Sequence, residues 1–187
     1  MLQVIFGILA GLIGFFAYVW YLRAILLGET HPNRMTWFII AFVSWVILLT
    51  YHSSGADTTI WLPVGEALAS SVIAILAIKH GVGGREERDL ICLVGAILSL
   101  IVWKVFGSAF LGLIGGLAVD TFALWPTVIK SFKIPGEEDR PAWTMTQIAN
   151  TFNILAINSL MIGIWIYPIW RFLLDGVVIY ALYRRKR

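Results

Sequence analysis

The chain is poor in charge, in cysteine and in anything that reads as a soluble domain. Of its 187 residues only 13% are charged, about half the usual globular share. It holds one cysteine, Cys92, which excludes an internal disulfide, a CxxC redox pair and a cysteine zinc cluster. Its three histidines, His31, His52 and His80, are far apart and close to the ends of apolar runs, so they read as interfacial residues and not as metal ligands. There is no HExxH, no GxSxG and no histidine in the middle of an apolar run. A metal enzyme or a nucleophilic hydrolase is therefore not expected, nor is a cofactor or a metal. The last apolar run contains Arg171 but no lysine, which argues against a retinal Schiff base. The alternating pattern of barrel strands is absent.

What fills the chain is apolar: 59% of residues are hydrophobic. The runs reach membrane-spanning length, roughly 17–25 residues, and in lipid such runs must be helices because nothing else satisfies their backbone. The expected fold class is an all-α membrane protein. Seven spans are read at about 3–27, 35–52, 60–79, 89–105, 108–130, 143–163 and 165–183. The first run has no basic segment before it and is too long for the apolar core of a signal peptide. The sequence "FGS", Phe106 to Ser108, reads as a tight turn.

Lys and Arg set an orientation. With seven spans, twelve of the fourteen basic residues fall on one side, among them Arg23, Arg34, Lys79, Arg85, Arg88, Lys130, Lys133, Arg140 and the tail Arg184 to Arg187. Only Lys104 and Arg171 fall toward the other. The positive-inside bias then places the N-terminus outside and the C-terminus in the cytoplasm of a multi-pass cell-membrane protein. The net charge of +3 belongs to this orientation signal, and no nucleic-acid partner is expected. The expected partners are the lipid bilayer and a small polar solute, with a homo-oligomer left open.

The chain repeats itself. At a shift of 105, Gly7 and Gly11 meet Gly112 and Gly116, Trp20 meets Trp125, Pro63 meets Pro168, and Lys79 meets Arg184. At a shift of 106, Arg34 meets Arg140 and Trp37 meets Trp143. Matches of Gly, Pro, Trp and basic residues in order are not what interchangeable Leu and Ile produce by chance. Spans one to three thus match spans five to seven, with span four as a linker. The units are residues 1–80, a first three-helix repeat; 81–106, a charged loop and linker helix; and 107–187, a second repeat with a basic tail. Three spans reverse the side of the chain and the fourth reverses it again, so the two repeats are parallel.

This 3+1+3 plan with an external N-terminus resembles the PQ-loop/SWEET superfamily of small-solute transporters. The family's Pro-Gln pair lies near the cytoplasmic end of the first helix of each repeat. Here the second repeat has Pro126–Thr127, which keeps the proline, and the first has Tyr21–Leu22, which does not. The resemblance implies a carrier for an amino-acid-like solute or a sugar, with Pro126 as a hinge. It also admits a non-transporting receptor or scaffold.

Ionisable residues inside spans are costly and face protein or water. Four qualify: Glu66, Asp120, Arg171 and Asp175. Glu66 and Arg171 are equivalent in the repeat, each three residues after its matched proline, and Ser70 is equivalent to Asp175. The two charges should lie at one depth in opposite halves, meeting across a central cavity or holding the two ends of a zwitterion. The plainer alternative pairs Arg171 with Asp175 along one helix face, with Arg171 and Glu66 reaching for the interface. Asp120, about 18 Å along span five at 1.5 Å per residue, reads as a proton carrier or as an acid paired with a nearby Asn, Thr or Lys. Asn150 and Asn153 share a face of span six and suit a hydroxyl- or amino-bearing solute, or else interhelical hydrogen bonding. The candidate substrate-binding residues are therefore Glu66, Ser70, Asn150, Asn153, Arg171 and Asp175, with Asp120 for proton coupling. Trp37, Trp61, Trp103, Trp143, Trp165 and Trp170 read as an interfacial belt. Trp45 reads as core or pocket. The spaced glycines are expected to pack helices within each three-helix bundle.

Overall fold

The computed structural model describes residues 1–28, 32–82 and 87–184; the side chains of Arg88, Pro126, Lys130 and Glu137 are outside the described set. Arg85, His31 and the tail 185–187, which contributed to the reading above, also lie outside it.

The described chain is all-helical. Its helices are α1 Leu2–Ala17, α2 Val19–Leu26, α3 Arg34–Ser53, α4 Trp61–His80, α5 Glu87–Phe106, α6 Ala109–Lys133, α7 Arg140–Leu155 and α8 Ile162–Tyr183. Five segments are long and apolar enough to cross a membrane: Leu2–Leu26 (α1 and α2 together), α3, α4, α5 from Asp89, and α8. A sixth follows if α6, bent by 40° between Ala109–Trp125 and Thr127–Lys133, is one span. The outer faces carry a wide apolar surface, including Ile75, Ile78, Val105, Phe106 and Leu173. So large a surface is foreign to a soluble monomer and natural against lipid.

Local chemistry explains the boundaries. Asn33 caps α3, its side chain accepting from the Thr36 amide at 3.1 Å. Asp139 caps α7 in the same way, accepting from the Ala142 amide at 3.1 Å. The two caps are 106 positions apart, the shift that relates Trp37 to Trp143. Between α5 and α6, Gly107 takes φ +63°, the left-handed turn that favours glycine, as the "FGS" reading requires. Pro63 is the third residue of α4, where its missing N–H has no helical acceptor to lose. Pro168 lies inside α8 and frees the carbonyl of Ile164, one turn earlier. The Tyr51 hydroxyl of α3 donates to that carbonyl at 2.5 Å and lies 2.5 Å from the Thr59 hydroxyl.

Three expectations are corrected. The sixth helix runs from Arg140 to Leu155, not 143–163, and its 16 residues fall short of a span on their own. One flank carries Thr146, Gln147, Asn150 and Asn153, so it is the least apolar long helix. The chain leaves it at Ala156, whose carbonyl accepts from the Thr58 hydroxyl at 2.6 Å. Gly7 and Gly11 do pack within the first half, against Thr58 and Trp61. Gly112 and Gly116 instead lie against Thr50 and Ile47 of α3, because α6 crosses to the other half at its start. Trp45 fills neither core nor pocket; it is largely exposed on the outside of α3, with its indole N–H on the Ser71 hydroxyl at 3.0 Å.

The helix contacts carry a symmetry. α1 packs on α4, α3 on α4, and α1 on α7. Likewise α6 packs on α8, α7 on α8, and α6 on α3. Exchanging α1 with α6, α3 with α7 and α4 with α8 turns the first set into the second. α5 stands outside this scheme, against α3 and α6.

Tyr51 and Thr59 are fully buried, so Tyr51→Phe orphans the Ile164 carbonyl in an apolar site. The expected loss is about 1–3 kcal/mol of stability, read as a lower midpoint of thermal unfolding in detergent; an unchanged midpoint would show that the proline-freed carbonyl finds another donor.

Candidate functional site

Where the halves meet, one cation is shared by three carboxylates. Arg171 projects from α8. Its Nη1 donates to Asp120 Oδ2 of α6 at 2.8 Å. Its Nη2 lies 3.1 Å from Glu66 Oε1 of α4 and 3.3 Å from Asp175 Oδ2, one turn along α8. Arg171 pairs along its own helix, as the plainer alternative expected, but it also meets its repeat equivalent, Glu66, and neither of the two reaches for the interface. Neither Glu66 nor Arg171 faces lipid; their side chains are 13% and 10% exposed. Asp120 pairs with this arginine, not with an Asn, Thr or Lys.

A polar shell holds the carboxylates. Tyr167, one turn before Arg171, donates its hydroxyl to Glu66 Oε2 at 2.8 Å, and its ring lies 4.9 Å from that of Tyr51. Asn150 of α7 donates Nδ2 to Asp175 Oδ2 at 2.8 Å. The group thus ties α4, α6, α7 and α8 together. Among the described residues, α4 and α8 have little other direct packing, so the ion network is their main link.

Two candidates stand apart. Ser70 is buried, but its hydroxyl bonds the Ala67 carbonyl of its own helix at 3.2 Å and joins no network, although Asp175 is its repeat equivalent. Asn153 is fully buried with neither amide atom hydrogen-bonded. The side chain of Pro126, the expected hinge, lies outside the described residues.

On one side of the cluster is a cavity of about 480 Å³. Asp120 and Arg171 form its deep part, and Glu138 and Asp139 line it at the loop before α7. Its walls include Tyr18, Tyr21, Trp37 and Trp143. The tryptophans expected in an interfacial belt therefore also face an interior space. Glu66, Asp175, Asn150 and Asn153 are not among the lining residues; they lie behind Arg171. Tyr18, Tyr21 and Tyr167 were not singled out from the sequence. The 106-residue match of Trp37 with Trp143 was a signal that could have pointed to the wall, since a belt needs no matched positions.

The opposite end is tied shut. Asp57 accepts from Asn158 Nδ2 at 2.9 Å, Thr58 holds the Ala156 carbonyl, and Tyr51 holds Ile164. Slight burial pushes the Asp57 carboxyl up, but hydrogen bonds from the Thr58 amide and Asn158 outweigh it and hold the carboxyl below its ordinary range. Such a group stabilises the fold above its unfolded value, about 3.9, and that contribution fades as pH falls through the lower folded value.

The chain matches no family model, no curated protein and no solved structure.

Arg171→Met removes from three clustered carboxyls the one cation among the described residues that pairs with them and should cost about 3–5 kcal/mol. Arg171→Lys should recover only part of this, since an ammonium point charge cannot fork to three partners; equal stability of Lys and Arg forms would refute the shared-fork account. At the other end, the midpoint gap between wild type and Asp57→Asn should narrow below about pH 4, and a gap constant from pH 7 to 3 would show that the Asp57 charge contributes nothing.

Proposed function

We propose that this protein is a multi-pass membrane carrier for a small polar solute, working by alternating access. The observation that carries this reading is the cavity between the two halves, ending on Asp120 and Arg171 where the repeat-equivalent Glu66 and Arg171 meet. The symmetric helix contacts support a 3+1+3 arrangement of seven spans like that of the PQ-loop/SWEET superfamily. In this arrangement α7, packed between α1 and α8, is the short sixth span, and α5 is the linker.

The described basic residues Arg23, Arg34, Lys79, Lys133, Arg140 and Arg184 gather at the end where the cavity reaches the loop. The positive-inside bias makes that end cytoplasmic in a cell membrane, with the N-terminus outside. The chain then stands with its inner side open and its outer side closed by the Asp57, Thr58 and Tyr51 contacts. Rocking of α1–α4 against α6–α8, with the bend around Pro126 as a hinge, would exchange the two. The cluster counts one positive charge against three carboxyls. A proton or a cationic solute reduces that imbalance, and the exposure of Asp120, the greatest of the three with a side chain 28% accessible, supports it as the coupling residue.

A receptor or scaffold on the same framework is the second reading. One observation favours it: Glu66, Arg171 and Asp175 form a buried ion network that rigidly joins the halves.

The deciding experiment is uptake into proteoliposomes of a panel of amines, amino acids and sugars, with and without an imposed pH gradient, beside Glu66→Gln and Asp120→Asn. Uptake by the wild type, reduced at least tenfold in variants that remain folded and with the gradient dependence abolished by Asp120→Asn, is expected. Failure of folded wild type to move any solute would leave the scaffold reading in its place.

A further inference from the structure

We infer that a small cavity among α3, α5 and α6 is a hydrated proton passage, with Asp89 of α5 passing protons between Asp120 and the basic end of the bundle. This rests on Asp120 as the coupling residue and adds the path by which that residue is loaded and unloaded.

The first observation is position. Asp120 forms part of the walls of two spaces, the larger cavity and a second of about 50 Å³. The polar lining of the second is Thr36 of α3, Asp89 of α5 and Asp120 of α6. From Thr36 to Val43 it follows two turns of α3, about 10 Å at 1.5 Å per residue. Thr36 and Asp89 lie in the first turns of α3 and α5, at the end where the basic residues gather. Asp120 lies deeper, near the middle of α6. A solute seated in the larger cavity covers that face of Asp120. The small cavity leaves a second face through which a proton can come and go while the solute is in place.

The second observation is chemistry. A buried water needs about 10–15 Å³ and two to four polar partners. The small cavity supplies both, with a carboxylate on each of two walls and a hydroxyl between. The Thr36 hydroxyl donates to Asp89 Oδ2 at 3.0 Å, and a hydroxyl that donates still accepts, so it also receives a bond from water. Asp89 is buried and interacts with other groups besides Thr36. A relay does not need a free carboxylate, only one that takes a proton from one neighbour and gives it to the next.

The step balances without a co-reactant. The Asp120 carboxyl gives its proton to a water bonded to it, and that water gives one of its own to the Asp89 carboxylate. One O–H bond forms for each that breaks. Asp120 is left ionised, the state that Arg171 of α8 pairs with at 2.8 Å. The other charged groups facing this point are Glu66 of α4 and Asp175 of α8, both on the same arginine. On α3, Arg34 donates its Nε to the Ala77 carbonyl at 3.3 Å.

The plainer role for Asp89 is to dock the start of α5 on α3. That role affects stability but not how fast Asp120 exchanges its proton, so the test reads exchange. Infrared spectroscopy of the purified full chain in detergent follows the stretch of protonated carboxyl groups as water is replaced by deuterium oxide. The band lost in Asp120→Asn reports Asp120. A bulky maleimide on Thr146→Cys first fills the larger cavity, which Thr146 lines; the buried Cys92 stays in place. With the cavity filled, Asp89→Asn should slow exchange at Asp120 at least about tenfold, since an amide cannot relay a proton. Thr36→Val should slow it as well, and Thr36→Ser, which keeps the hydroxyl, should restore it; this pair carries the test if Asp89→Asn does not fold. Exchange as fast in folded Asp89→Asn as in the wild type would overturn the passage and leave Asp120 as the coupling residue. No Asp120 band at any pH at which the protein stays folded would overturn both.

Discussion

A guanidinium buried among helices must be compensated on every side, and here Arg171 imposes that demand on the whole molecule. Its two terminal nitrogens are met by carboxylates from three helices, and those carboxylates in turn by Tyr167 and Asn150. An ion in a region of low dielectric costs several kcal/mol unless its partners are well placed. The network therefore constrains α4, α6, α7 and α8 to one mutual arrangement. In a membrane, where lipid offers helices no hydrophobic drive toward one another, such a polar centre and the close glycine contacts of α1 with α4 hold the bundle together.

The same demand explains why the polar centre lies between the halves. An ion pair within one three-helix unit would leave the other free to move without electrical consequence. Glu66 and Arg171 belong to different halves at equivalent positions, so separating the halves separates the charges. The cavity begins where this network stops, with Asp120 and Arg171 belonging to both. At the far end the Tyr51 hydroxyl holds the carbonyl that Pro168 frees, while the cavity reaches the loop before α7 at the other.

Much of this was legible in the residues. Apolar runs with few charges specified helices, and the helix ends agree within a few residues for six of the seven segments read. The repeat of Gly, Trp, Pro and Arg at 105 to 106 positions anticipated the meeting of Glu66 with Arg171; the caps Asn33 and Asp139, not read from the sequence, fall at the same spacing. The sixth segment was misjudged because Ile154, Leu155 and Ile157 continue an apolar pattern, whereas the helix ends where Thr58 takes the Ala156 carbonyl. A partner 98 residues away leaves no trace in a local window. Gly112 and Gly116 were assigned to the wrong neighbour for a similar reason: spacing reports that a helix has a small face, not which helix meets it.

The sequence by itself determined that the chain is helical and apolar, that charges within its apolar runs are few, and that two of them, Glu66 and Arg171, lie 105 positions apart, each three residues after a proline. Those properties follow from composition and period, which act along the chain. Tertiary structure alone decided that Asp120 joins the arginine, that Ser70 does not, and that Trp37, Tyr18, Tyr21 and Trp143 enclose a cavity. Each of these depends on the crossing and rotation of helices distant in sequence. Side chains of the same type, an aspartate or a tryptophan, take opposite roles according to whether packing turns them toward lipid, toward a buried ion or toward an internal space.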